Sequence, residues 1–333
     1  MVLVFIRKAK DMLIENDILT AVKLLQAGEV IGLPTETVYG LAADASNPEA
    51  VKKIFALKNR PIDHPLIVHI ASDRYLKDWA ISIPERAYQL TQVFWPGPLT
   101  LILKKAPHVS SIITGGQETI GLRCPSHPVA QTVLQAFQGG VAAPSANRFG
   151  YTSSTSADHV RQDFGDKIPL VLEGGVCQVG IESTIVDLTA ELPTILRPGM
   201  ITQAQLEAVL QCPVLVGSKR SPRVSGSLAS HYAPKTPTKI MAWQDLLAYC
   251  QKLLFSDRIV VIARKKSPFH LSQITWKELP DNAERYAQLL YHTLRESDQL
   301  GASEILIEQV PHEGDWTAIC DRLKRATTRP NRG

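Results

Sequence analysis

The chain has 333 residues, a formal net charge of +4, and 44% hydrophobic against 20% charged side chains. That balance excludes a disordered chain and leaves room for two domains of ordinary size, each with its own core. The mild positive charge suits anionic small molecules, but no Lys/Arg run is dense enough, or interleaved with aromatics, to define a dedicated nucleic-acid binder.

The first apolar patch, Val2–Ile6, is too short for a signal sequence, and no later stretch approaches a membrane span, so the cytoplasm is the expected location. "NDILTAVKLLQAGEV" (16–30) has helical periodicity with a turn at Gly28, and "VIGLPTETV" (30–38) reads as a strand ending in a polar loop. "SNPEAVKKIFALK" (46–58) predicts a helix capped by Asn47, with Pro48 at its first position and Glu49 in its first turn. "PLIVHI" (65–70), "LTLILKK" (99–105), "TIGLRC" (119–124), "GGVAAPS" (139–145), "PLVLEG" (169–174) and "STIVDLT" (183–189) are predicted strands, and "HPVAQTVLQAF" (127–137) a helix. Residues 217–237 are rich in Ser, Pro and Gly without an apolar period, which reads as a linker or long ordered loop. Beyond it, strands "TKIMAW", "RIVVIAR" and "SEILIEQV" and helices within 281–301 and 315–327 predict a smaller α/β unit of βαβ character, followed by a frayed tail at "TTRPNRG". The five cysteines are scattered and form no C-x-x-C pair, so reduced thiols are expected rather than a disulfide framework or a thiolate zinc site.

Polar clusters fall at the ends of the apolar strands, where open α/β sheets place ligands. Singly each has an ordinary explanation: an arginine after a strand is usually a surface ion-pair partner, and a histidine inside a strand, such as His69, is usually a satisfied core residue. Asp63, His64 and His69 match no standard metal-ligand spacing. Together, Lys58, Arg60, Arg123 and Arg197, with Thr35, Thr37, Ser145, Asn147, Ser153 and Ser183, form an inventory suited to a ligand with several phosphates. No G-x-x-x-x-G-K-[ST] or G-x-G-x-x-G is present, so side chains rather than a glycine-rich backbone cradle would hold such phosphates. An RNA-binding face is the rival reading, with Tyr39, Trp95 and Tyr151 as stacking residues; a non-catalytic nucleotide sensor is another.

"PTETVYGLAAD", "KNRP…HPLIVHI", "APSANRFG" and "ESTIVD…LRPG", in that order, resemble the YrdC-type family of L-threonylcarbamoyladenylate synthases. "SPRVSGSLASHYAP" with a small α/β unit after it resembles the linker of the long, two-domain form. The resemblance implies a YrdC-like twisted mixed-sheet catalytic domain over 1–216, a linker or lid over 217–237, and a smaller Rossmann-like α/β accessory domain over 238–333. It implies that L-threonine, bicarbonate and ATP are joined into threonylcarbamoyl-AMP and pyrophosphate, for a tRNA modification beside the anticodon. Lys58, Arg60, Ser145 and Asn147 match the quartet around ATP, and Thr119, Ser153, Arg197 and Tyr232 align with further nucleotide contacts. His64 stands where many members have Asn. Thr37, His69, Arg123, Ser183 and the backbone of Ala143 align with the threonine pocket. No tightly bound cofactor and no protein metal site are implied; Mg²⁺ accompanies ATP. The product passes to a tRNA threonylcarbamoyl transferase complex, with at most weak direct contact to tRNA and none to a membrane.

Overall fold

The computed structural model describes residues 16–217, 221–226, 228, 231–253 and 258–328. The apolar patch Val2–Ile6 and residues 329–333 of the tail lie outside them. In chain order the first unit comprises α1 (16–26), β1 (Ile31–Leu33), β2 (Gly40–Asp44), α2 (Pro48–Lys58), β3 (Ile67–His69), α3 (Leu76–Trp79), β4 (Ala80–Ile81), α4 (Glu85–Phe94), β5 (Leu99–Lys105), α5 (Ser111–Thr114), β6 (Thr119–Arg123), α6 (Pro128–Phe137), β7 (Val141–Ala142), α7 (Ala157–Phe164), β8 (Thr184–Asp187), β9 (Thr194–Arg197), α8 (Gln203–Leu210) and β10 (Leu215–Val216). The second comprises β11 (Thr238–Met241), α9 (Trp243–Gln251), β12 (Ile259–Ala263), β13 (Ile274–Glu278), α10 (Ala283–Asp298), β14 (Glu304–Glu308) and α11 (Thr317–Thr327).

The first sheet is mixed. Its order is β1-β2-β7-β3-β6-β5-β8-β9-β10, with β4 on β5. β3 lies parallel to β6 and antiparallel to β7, so His69 faces Arg123 in register and Val68 faces Ala142. That pairing puts His69 and Arg123 side by side on one face at the ends of two central strands. The second sheet, β11-β14-β12-β13, is parallel throughout, and its central strand β12 is buried at every position, as a sheet covered on both faces requires.

Local sequence explains the helix that carries the first cations. The Asn47 side chain accepts from the amides of Glu49 and Ala50, Pro48 occupies the first turn, and Ala50, Val51, Ile54 and Phe55 bury one stripe. Helix α2 stops at Asn59, which is left-handed (φ 52°) and returns its amide to Ala56. Asparagine tolerates that conformation where most residues would not. Arg60 therefore leaves the helix at a sharp angle.

One predicted strand does not form. "PLVLEG" makes a single parallel bridge, Val171 to Gly32, with Gly32 donating to Leu170 O and Leu172 donating to Gly32 O. Pro169 has no amide to extend the ladder, and Gly174 and Gly175 end it. The segment borders the sheet rather than joining it.

Candidate active site

The end of α2 and the "SAN" loop close on each other. Lys58 Nζ donates to the carbonyls of Ser145 and Asn147, the latter at 2.5 Å, and Phe149 N donates to Lys58 O at 3.0 Å. The Asn147 amide nitrogen is spent on Arg148 O and Tyr151 O, which leaves its Oδ1 buried without a partner. Arg60 Nη2 donates to Pro65 O at 3.0 Å, and its guanidinium lies 5.4 Å from the centre of the Phe149 ring. Arg60 Nε is buried and unpartnered. His64 meets the same ring edge-on at 5.2 Å. Lys58, Arg60, Ser145 and Asn147 are thus brought together, with backbone carbonyls rather than carboxylates facing the lysine.

Arg197, at the end of β9, completes the group. It is 3% exposed, and donates to Ser183 O through Nε and Nη2, to Ser183 Oγ, and to Ser225 O. Burial depresses all three cations: Lys58 falls well below its ordinary value with Arg60 adding to the effect, Arg60 falls to about 10, and Arg197 falls as well. Among the described residues none of the three has a carboxylate at ion-pair distance. Buried unpaired cations are costly, and an arriving polyanion would reverse the shift and hold them charged.

The neighbouring group around Arg123 has the opposite character. Arg123 Nη2 pairs with Glu36 Oε1 at 2.6 Å, Nη1 donates to Thr37 Oγ1 at 2.8 Å, and Nε to Gly97 O at 3.3 Å. Of five guanidinium N–H groups these contacts take three, so one on each Nη remains for a ligand. Arg123 is consequently not an isolated clamp: Glu36, which sequence reading missed, fixes it and also accepts from Ser126 N. His69 is 3% exposed with Nδ1 unpartnered, and burial, with Arg123 alongside, holds it neutral with a pKa lowered to about 3. Ser183 Oγ shares a hydrogen bond with Thr100 at 2.8 Å. Ala143 donates its amide to Ile67 O, so only its carbonyl faces the role expected of its backbone.

The described residues 221–226 and 231–232 lie across this region. Arg223 exchanges two hydrogen bonds with Gln117 and pairs with Asp63, while Val224 packs on Ile102 and Ile185. Thr119 lies beneath it in a cleft of about 10 Å³, room for about one water. Tyr232 is left-handed (φ 62°) and 1% exposed. Its hydroxyl is buried without a partner beside Arg197, and burial pushes its pKa up to about 12. Gly226 must stay glycine here, since its φ is +81° and a Cβ would fall 2.1 Å from Tyr232 Oη. Ser153, expected as a nucleotide contact, donates its hydroxyl to Glu182 Oε1 at 2.6 Å at the junction of the two units. The stacking residues of the RNA reading are corrected. Tyr39 is fully buried with its hydroxyl on Gly175 O, and Trp95 donates to Leu99 O, leaving only Tyr151 exposed. A cavity of about 630 Å³ between Asp44, Trp79 and Gly140 is lined by no lysine or arginine among the described residues and gathers none of the residues above.

Most of the chain has counterparts. A family model described as "Telomere recombination" matches residues 23–199, and one described as "Threonylcarbamoyl-AMP synthase, C-terminal domain" matches 201–328. Relatives named threonylcarbamoyl-AMP synthase include one from Pyrococcus abyssi, 37% identical over 92% of this chain and 93% of its own, and one from Bacillus subtilis, 38% identical over 95% of each. A crystal structure of P. abyssi Sua5 complexed with L-threonine superposes with a TM-score of 0.85 at 36% identity, covering 93% of this chain and 94% of that one. The chain belongs to the threonylcarbamoyl-AMP synthase family.

Proposed function

We propose that the protein condenses L-threonine, bicarbonate and ATP into threonylcarbamoyl-AMP and pyrophosphate. The observation that carries this reading is the carbonyl-held group Lys58, Arg60 and Arg197, buried without carboxylates among the described residues. The relatives' names and the threonine complex of the P. abyssi protein support it. Threonine's amine and bicarbonate lose water to give a carbamate, whose oxygen attacks the α-phosphorus of ATP as the bond to the β-phosphate oxygen breaks. The chain's residues position and neutralise rather than transfer protons. Lys58, Arg60 and Arg197 hold the phosphates, Tyr232 Oη donates to the nucleotide, Asn147 Oδ1 accepts from one of its hydroxyl or amino groups, and His64 and Thr119 stand at the rim. The two remaining Arg123 N–H groups bind the threonine carboxylate, with Thr37, His69, Ser183 and the Ala143 carbonyl around the rest.

Mg²⁺ bound with ATP would offset phosphate charge and would need few protein ligands. Among the described residues no cluster of three or more His, Cys, Asp or Glu is placed to hold a metal. The product is a mixed anhydride prone to hydrolysis and passes to a tRNA-modifying transferase in the cytoplasm. No helix among the described residues is long and apolar enough to cross a membrane. Pyrophosphate release measured with each substrate withheld in turn tests the reading. Release that needs all three supports it, and release indifferent to threonine or bicarbonate overturns it.

A further inference from the structure

The second unit reaches into the first at one buried carboxylate. Glu182, immediately before Ser183, accepts from Ser153 Oγ at 2.6 Å, from Tyr291 Oη of α10 at 3.0 Å, and from Arg322 Nε of α11 at 2.8 Å. Arg322 Nη2 also donates to Glu182 O, and Arg322 is 0% exposed. The same two residues hold Tyr232: its ring stacks on Tyr291 at 5.7 Å, and the Arg322 guanidinium lies 5.3 Å from its centre. Helix α11 also grips the crossing segment, with the Arg325 guanidinium on Leu228 O and His231 N on Arg325 O. Gly180 shows how close the approach is, since a Cβ there would sit 2.4 Å from Gln288 Cα of α10.

We propose that Arg322 is a positioning residue of the active site: acting through Glu182 and Tyr232, it sets the Ser183–Arg197 pair and the crossing segment, so that the second unit completes the first unit's site. This rests on the synthase reading for its kinetic consequence, but not for its structural one. Glu182 is one peptide from Ser183, whose carbonyl and hydroxyl together take three of the Arg197 contacts. Removing Arg322 leaves Glu182 with hydrogen bonds from Ser153 and Tyr291 and no cation of its own, and takes the planar support from one side of Tyr232. A carboxylate so placed turns toward Arg197, and the Ser183–Arg197 geometry is lost.

Amide hydrogen exchange on the full chain tests this without reference to activity. In Arg322→Gln the account expects exchange at least tenfold faster at 182–186 and 223–226, with β3 and β6 unchanged. A lowered melting temperature without that local change, or a rise spread evenly over the first sheet, overturns it. Tyr291→Phe removes one hydroxyl from the same carboxylate and keeps the fold, and a rise of about threefold at the same amides is expected; none overturns the proposal even if Arg322→Gln does not fold. In pyrophosphate release, Arg322→Gln is expected to raise the KM for ATP, through Arg197 and Tyr232, and for threonine, through Ser183, each about tenfold, and Arg322→Lys to recover part of both losses. An unaltered threonine KM in folded Arg322→Gln also overturns it. If the unaltered protein releases no pyrophosphate, the synthase reading falls while the exchange data still decide the positioning role.

Discussion

Arg197 and Arg322 are both buried guanidiniums in the field of Glu182, yet they are satisfied by different partners. Arg197 is held by the Ser183 and Ser225 carbonyls and a hydroxyl, so its positive charge is left uncancelled. Arg322 is held by Glu182 and Asp321 at 2.8 and 2.7 Å, so its charge is spent within the fold. Carbonyls orient a cation and leave it available to an anion; carboxylates orient it and consume it. Lys58 and Arg60 follow the first pattern. Their closeness along the chain is a cost that a triphosphate relieves.

The largest expected effect breaks the carbonyl-held side. Arg60→Ala removes charge-assisted contacts worth about 1.5–3 kcal/mol each, so loss of two lowers kcat/KM for ATP roughly 10²–10⁴-fold. Its melting temperature is expected to hold, because no carboxylate is orphaned; near-normal pyrophosphate release in folded protein would contradict the assignment. The carboxylate-held side should respond in the other way. Arg322→Met strands Glu182 and is expected to cost about 3–5 kcal/mol of stability in a denaturant melt. Arg197→Met should cost clearly less, and the reverse ranking would remove the distinction between the two arginines.

Acid sharpens the contrast. Burial lowers His69 and His231 to about 3 and His159 to about 4. Each is neutral in the folded chain but takes a proton near 6.5 when unfolded, so the unfolded state binds more protons below that pH and stability falls as pH drops from 6.5 toward 4. Glu182 behaves differently. Burial pushes it up, but Arg322 and Arg197, with the Ser153 hydrogen bond, bring it down to about 2, so its contribution is present above about 4.5 and is lost only as pH falls toward 2. A melting temperature flat from pH 7 to 4 would show that the histidines are not held neutral. Smaller still is the discrimination between amino acids: a site that hydrogen-bonds the substrate hydroxyl should use valine far less well than threonine and accept serine in part. Equal use of valine would remove the polar pocket. The smallest expected effect is a several-fold slowing of tryptic cleavage after Arg223 by ATP with threonine, and no protection would make the crossing segment a plain tether.

What could be read in the sequence follows from the range of the interactions. The Asn47 cap, Pro48 and the apolar stripe of α2 act within a few residues, and they form as the pattern predicts. The K-x-R and S-x-N residues meet across 87 and 89 positions, through carbonyls that no side-chain pattern encodes. They were found by family resemblance rather than by spacing. Nothing local marks Glu36 in the "PTETVYG" stretch, because an acid beside two threonines has no reason to be buried until Arg123 pairs with it from 87 positions away. Glu182 was missed for the same reason, its partners Tyr291 and Arg322 being 109 and 140 positions away. "PLVLEG" misled because its apolar run is that of a strand, while Pro169 and the paired glycines limit it to one bridge.

If the carbonyl-held cations serve to receive a polyanion, calorimetric titration of ATP into folded wild-type and Arg60→Ala protein shows it most directly. At least a tenfold loss of affinity is expected in Arg60→Ala, with a wild-type affinity that weakens with salt. Equal affinity in the two proteins would contradict it.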